Sequence, residues 1–576
     1  MTDLVLGPLL RHVGEHTAAI WVETADPAEV TVTAGEHQAS ARTFRVHGHH
    51  YALITLDGLE KGTKTPYQVE SDGELVWPLE PSIYPDSVIA TFDHEKPLRM
   101  AFGSCRTSVS HDSAGNKLHG VDSLRAYALR MSGVTDTDHE GDPDPGPGMR
   151  WPDFVLFLGD QVYADETSTE MQTFIEARRD VREPPWAELK DYAEYAQLYK
   201  VAWSDPVNRW LLSTVPSAMI FDDHDIRDDW NTSLAWKQEM EATTWWHGRI
   251  VSGLASYWVY QHLGNLAPEE REQDDIWQRI NSHDGADEFD ATDLLDEFAD
   301  RADQEPESYR WSFTHDLGSQ ARLVVIDSRA ARVLDTENRS MLDDSEMAWL
   351  DEQLRGDVDH LLIGTSLPFL LTPGLHYVEA FTEALAEGAW GQRWTDIGER
   401  MRQGIDLEHW AAFQDGFHKV SDMVLEVARG ERGRAPETVT FLSGDVHHSY
   451  VSEARSPRKA ARRRPRQQSR IIQAVCSPIR NQLPTGERIG ARLAAYWIAG
   501  PIGRLMVKSA KVPTAPLRWK LLRGPWFDNN LATLEVLPHG LRMWWASGKV
   551  EDGVHHRPRL ITVADVTIDK PTKETR

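Results

Sequence analysis

The chain of 576 residues exceeds a single minimal core and has room for several domains and a deeply buried site. Hydrophobic content of 40% and charged content of 26% exclude wholesale disorder and collagen-like architecture. A net charge of -29 argues against general polyanion binding, so any basic patch is local, and with only Cys105 and Cys476 no disulfide framework is built.

The opening MTDLVLGPLLRHVGEHTAAIWVE carries no basic run before an apolar stretch, no twin arginine and no small-residue cleavage pattern. The longest apolar stretch, near Leu493 to Ile502, is broken by Gly500 and Pro501 and is too short to span a bilayer. A soluble, cytoplasmic protein is expected. Residues 1–95 alternate apolar and polar in short runs (AAIWVE, VTVTAG, HYALITL), which predicts an all-β sandwich. From Leu98 the runs lose their polar face (LRMAFGSC, DFVLFLGD, SAMIFDDHD, ARLVVID, HLLIGTSLP, VTFLSGDVHH), as strands buried on both sides of a layered α/β domain do. Between them EMEATTWWHGRIVSGLASYWVYQHL and DDSEMAWLDEQLRG repeat at helical spacing. TDTDHEGDPDPGPG at 135–148 reads as a loop, and the acidic stretch from Pro268 to about Glu307 as short exposed helices on a solvated face. ATLEVLPHGLRMWWAS and PRLITVADVTI read as late strands that either complete the core or return to the sandwich.

Metal-binding side chains follow the last buried residue of FGSC, GDQVY, IFDDHD and GDVHH, where open α/β sheets bind ligands. In GDQVY, Asp160 presents a carboxylate and Tyr163 a phenol that ionises near neutral pH only beside a strong positive charge, which points to ferric iron; alternatively Tyr163 is a core aromatic. Cys105 is a thiolate ligand or an inert small hydrophobe. Asp222, Asp223, His224 and Asp225 crowd carboxylates around one imidazole, an arrangement that a cation relieves. GDVHH reads as an extended segment whose alternation puts Asp445 and His447 on one face, as the ligands, and His448 on the other. This mixed oxygen, nitrogen and sulfur set suits two ions. Arg329 is a candidate for gripping phosphate oxygens, or for a structural ion pair.

Together with LVVIDSRAAR, EMAWLDEQL, GTSLP and CSPIRN, these segments resemble the alkaline phosphatase D (PhoD-like) branch of the calcineurin-like metallophosphoesterases, over roughly Leu98 to Glu535. The resemblance implies a four-layer αββα core at 96–570, with a basic insertion at 455–470, preceded by a fibronectin-type-like sandwich at 1–95. It implies Asp160 as bridging carboxylate, Tyr163 as phenolate on iron, Cys105, Asp223, Asp445 and His447 as further metal ligands, and His224 as the catalytic histidine. The implied metals are iron with calcium, or with manganese or magnesium. In IRDDWN, Arg227, Asp228 and Asn231 stand near a position that the family uses for metal or substrate.

The expected activity is phosphate ester hydrolysis, monoester or diester. Two ions about 3.5–4 Å apart would clamp the ester and activate a water for in-line attack, while His224 protonates the leaving group. RSPRKAARRRPRQQSR at 455–470 holds eight Lys and Arg residues and could contact anionic lipid or nucleotide. That feature carries the alternative of a membrane-surface or anionic-ligand binding protein using 455–511. No obligate protein partner is evident.

Overall fold

The computed structural model describes residues 3–79, 81–135, 149–285, 287–335, 338–391, 395, 398, 408–457, 465–482 and 499–570. Residues 136–148 of the expected loop, residues 458–464 of the basic run and residues 483–498 of the 455–511 segment lie outside them.

The N-terminal segment forms two facing sheets. One runs Leu4–Val13, Ala18–Thr24, His49–Leu56, Phe44–Val46, and the other His37–Arg42, Glu29–Ala34, Lys64–Ser71, Glu74–Trp77, with Val88–Ala90 also paired to Lys64–Ser71. Leu10, Ile20, Val22, Val30, Val32, Ile54 and Val69 fill the space between them. Glu29–Ala34 alternates exposed and buried residues because one of its faces is wet. Ala18–Thr24 is buried throughout. Its second face, with Trp21, packs into the α/β core, so the sandwich is fused to the domain behind it.

The core holds two further sheets. The first runs Ser217–Ile220, Phe154–Leu158, Arg99–Gly103, Leu531–Leu537, Gly540–Lys549, Arg559–Asp569, its first three strands parallel. The second runs Phe313–Leu317, Ala321–Ile326, His360–Thr365, Thr438–Ser443, Arg470–Val475, Ser449–Arg455, Arg518–Trp526, with Ala321–Ile326 through Arg470–Val475 parallel. They meet face to face: a Cβ on Gly364 would lie 3.0 Å from Leu158 Cδ2. Helices cover the outer faces. Gln414–Arg429 repeats Phe417, Val420, Val424 and Leu425 at helical spacing over Ile363, Val439 and Phe441, and ends at Gly430 with φ of 77°. Asp344–Gln353 starts where the Asp343 carboxylate accepts from Glu346 N–H at 2.8 Å. The result is the expected αββα arrangement behind an all-β sandwich.

Three details differ from or complete the sequence reading. The segment at 239–263 is two helices, Leu234–Glu241 and Trp246–Tyr257, interrupted around 242–245. The C-terminal strands complete the core's first sheet beside Arg99–Gly103. The acidic stretch is more than a solvated face. Helix Thr292–Gln304 buries Leu295, Phe298, Ala299 and Ala302. The acids also pair with the sandwich: Asp290 with Arg45 at 2.6 Å, Asp296 with His47 at 2.9 Å and Glu288 with His50 at 2.8 Å. A sequence window shows the charges and hides the basic partners some 240 positions earlier.

Candidate metal centre

Arg99–Gly103, Phe154–Leu158 and Ser217–Ile220 of one sheet and Ala321–Ile326 and Thr438–Ser443 of the other release their candidate residues at the same edge. Two glycines let these ends converge. Gly159 has φ of 109°, and a Cβ there would sit 3.0 Å from Asp222 Cβ; one on Gly444 would fall 1.9 Å from Ser104 Oγ. In the space so opened Ser104 Oγ accepts from Asp445 N–H at 3.0 Å and lies 3.1 Å from Cys105 Sγ.

Asp160, Asp223 and His224 offer ligand atoms lying within 4.8 Å of one another, and Asp222, Asp223 and Asp445 form a second such group. Asp223 is the member common to both, whereas the family resemblance gives the bridging position to Asp160. Asp160 Oδ1, Asp222 Oδ2 and the Tyr163 hydroxyl are buried with no hydrogen-bond partner among the described residues. Burial, then neighbouring carboxylates, pushes Asp160 well above the usual carboxylate range; burial also raises Asp222, more than Arg329 offsets. Burial followed by Asp160 raises the Tyr163 phenol and the Cys105 thiol. The protein alone therefore disfavours ionising exactly those groups that a metal needs ionised, and a cation reverses the balance. Orphaned oxygens and this donor set fit metal ions.

Asp445 (φ 64°) and His447 (φ 48°) both adopt left-handed backbone, so GDVHH is a turn. Its residues reach the site by that turn rather than by strand alternation. Burial drives His447 down to about 4, leaving a neutral imidazole suited to ligation, and its backbone N–H donates to Ser477 Oγ at 3.2 Å. His448 stacks between Tyr450 and Phe527, each at 5.5 Å. Asp225 accepts from Asp222 N–H at 3.0 Å and Gln261 Nε2 at 3.1 Å and shapes the turn.

His224 Nδ1 lies 2.9 Å from both Asp165 oxygens, and its ring centroid is 4.7 Å from that of Tyr163. Burial opposes a charge on this imidazole, but Asp165 and Asp223 raise it well above the ordinary histidine range. Arg329 departs from the phosphate-gripping expectation. It is fully buried, with its guanidinium on Asp222, on Glu408 at 2.7 Å and on Asp223 at 3.1 Å. Its donors are directed to protein carboxylates. Glu408, despite burial, is held down to about 2 by Arg329 and Arg332. Arg227 pairs with Glu188 at 3.0 Å, Asp228 N–H donates to Asp165 at 2.6 Å, and Asn231 Nδ2 donates to the Arg329 carbonyl at 3.2 Å.

Sequence reasoning missed Asp165, Glu379 and His409. His409 bridges two carboxylates, Nε2 on Asp445 at 3.0 Å and Nδ1 on Glu379 at 2.8 Å. Asp165 lies two positions past Tyr163 and was within reach of a motif reading; DLEHW, which carries His409, follows no buried strand and gives no signal. Beside the cluster opens a cavity of about 960 Å³ lined by Asp165, Ser110, His111, Trp186 and Lys200 among others.

A two-sheet core that gathers carboxylates at one edge is the layout of a metal-dependent hydrolase. Residues 148–494 match the PhoD-like phosphatase family, and residues 1–89 match a domain of unknown function, DUF7800. The first match spans more than half of the chain. The chain belongs to the PhoD-like phosphatase family and is a metal-dependent hydrolase of phosphate esters. A solved structure titled "Structure of PhoD" shares the fold, with a TM-score of 0.58 at 13% identity, covering 99% of this chain and 90% of that one. No curated protein matches the sequence. Among the described residues no helix is long and apolar enough to cross a membrane.

Proposed function

We propose that the chain is a binuclear metallophosphoesterase whose catalytic domain, 96–570, holds two ions through Cys105, Asp160, Tyr163, Asp223, Asp445 and His447, joined by Asp222. The phenol and thiol favour iron at one position, and the carboxylates favour calcium, manganese or magnesium at the other. When bound, such ions neutralise phosphate charge and make a water acidic enough to attack phosphorus. The observation that carries this reading is the set of buried acids without partners, Asp160 Oδ1, Asp222 Oδ2 and Tyr163 Oη, around one edge of two sheets.

The remaining work falls to the side chains. Asp165 fixes the His224 ring through Nδ1 and favours its protonated form, so His224 can deliver a proton from Nε2 to the leaving alkoxide. Arg329 holds Asp222 and Asp223 in place against their mutual repulsion. His409, braced by Glu379, fixes the Asp445 carboxylate. The cavity beside Asp165 has room for the leaving group. The two buried, unpaired cysteines fit a reducing compartment such as the cytoplasm.

The test is hydrolysis of aryl phosphate monoesters and diesters by the purified protein and by His224→Ala. A loss of about 10²–10⁴ in kcat with metal content retained supports the assignment. Full activity in the variant rules out His224 as the acid.

A further inference from the structure

A second cavity, of about 580 Å³, shares no lining residue with the strand-end cluster and lies between helix Pro373–Ala386, helix Ala499–Ser509 and the segment leading into strand Arg518–Trp526. Its volume falls within the range of small-molecule sites, roughly 300–1,000 Å³. Val507, Val512, Ala515, Leu517 and Trp519 give it apolar walls, and Arg504, Lys508 and Arg518 also line it, with no Asp or Glu in the lining. In a chain with 90 acidic and 61 basic residues this is a local reversal of charge. None of the three cations has a carboxylate partner among the described residues; Arg504 instead lies over the Tyr377 ring at 5.9 Å.

A second observation also points to a ligand. His376 lines the cavity, is 2% exposed, and its Nδ1 is buried with no hydrogen-bond partner. Its ring is held by Phe417 and Trp519, with centroids 4.8 and 4.7 Å away, so it cannot turn freely to find one. A buried polar atom left unsatisfied is costly unless something visits it.

We infer that this cavity binds a single-chain anionic amphiphile, a long-chain carboxylate or alkyl phosphate, with its head at Arg504, Lys508 and Arg518, its chain along Val507, Leu517 and Trp519, and a polar oxygen on His376. Charge complementarity selects the anion and the apolar walls select the chain. The site is independent of the phosphoesterase reading.

Calorimetric titration of the full chain with laurate, dodecyl phosphate, dodecyl maltoside and inorganic phosphate, each amphiphile below its micelle concentration, tests it. Saturable binding of one laurate or one dodecyl phosphate is expected, with dodecyl maltoside and inorganic phosphate at least about tenfold weaker. The surface variant R504E/K508E should weaken both anions by about tenfold or more while leaving aryl phosphate hydrolysis and the melting temperature unchanged. A515W, which fills the cavity without altering charge, should abolish binding. Equal affinity for dodecyl maltoside, or unchanged affinity in both variants, overturns the inference. Laurate preferred over dodecyl phosphate, or the reverse, identifies the source of the anion.

Discussion

Two buried charged networks begin at consecutive residues and are built on opposite principles. Cys105 faces the strand-end cluster, where Asp160, Asp222 and Tyr163 keep polar atoms without protein partners. Arg106, which also lines the cavity of about 960 Å³, is committed to protein partners. Its Nη2 and Nε reach Asp122 at 2.8 and 3.1 Å, its Nη1 donates to the Ala202 carbonyl at 2.8 Å, and Asp122 also caps helix Ser123–Met131 through Arg125 N–H. Nearby Arg480 ties down the carbonyls of Val109 and Ser110 at 2.5 and 2.7 Å. The donors of Arg106 are satisfied within the protein, by Asp122 and the Ala202 carbonyl. The Cys105 side is incomplete within the protein, and that incompleteness is what the site has to offer a cation.

The contrast predicts opposite responses to similar substitutions. Asp160→Asn should lower phosphatase activity by about 10³-fold or more, since a metal-centred term of several kcal/mol is lost. In metal-free protein the same change should leave the melting temperature unchanged or raised, because it removes a buried acid that has no partner. Asp122→Asn should do the reverse: unfolding in denaturant should show a loss of about 3–5 kcal/mol, with activity per folded molecule within a few-fold of the parent. A destabilised metal-free Asp160→Asn would break the distinction between the two networks.

Smaller effects sharpen it. Glu379→Gln leaves His409 without one of its carboxylates, and metal retention during chelator titration should weaken about 10–100-fold. The smallest effect concerns stability against pH. Burial drives His262 down to about 3, from an unfolded value near 6.5. The unfolded chain therefore binds the extra proton between those values, and stability is complete above pH 6.5 and declines as pH falls toward 3. His262 should account for about 1–2 kcal/mol of the loss between pH 6.5 and 5, and His262→Leu should flatten that part of the acid limb.

How much of this the sequence discloses depends on the range of the interaction. Strand ends such as LFLGD and FLSGD are local signals, because a buried run must stop where a polar side chain begins, and they lead to Asp160 and Asp445. The backbone of GDVHH is not local in this sense: its left-handed turn donates to Ser104 and Ser477, which follow other strands. Arg329 shows the same limit. SRAAR offers a cation near a strand end, but only the fold brings Asp222, Asp223 and Glu408 around it. His409 and Glu379 act through Asp445 across long chain separations and carry no motif. The fused sandwich was half legible: alternation showed Glu29–Ala34, whereas AAIWVE, read as one more alternating run, is buried on both faces because Trp21 packs into the core.

The central claim, that the unpartnered acids are ligands of two metal ions with iron on Tyr163, is tested most directly by elemental analysis of the purified protein together with its visible absorption spectrum, for the parent and for Tyr163→Phe. The account predicts two metal ions per chain, iron among them, and a phenolate-to-iron absorption band that Tyr163→Phe removes. A metal-replete, active parent with no such band, or with a band unchanged in Tyr163→Phe, would contradict it.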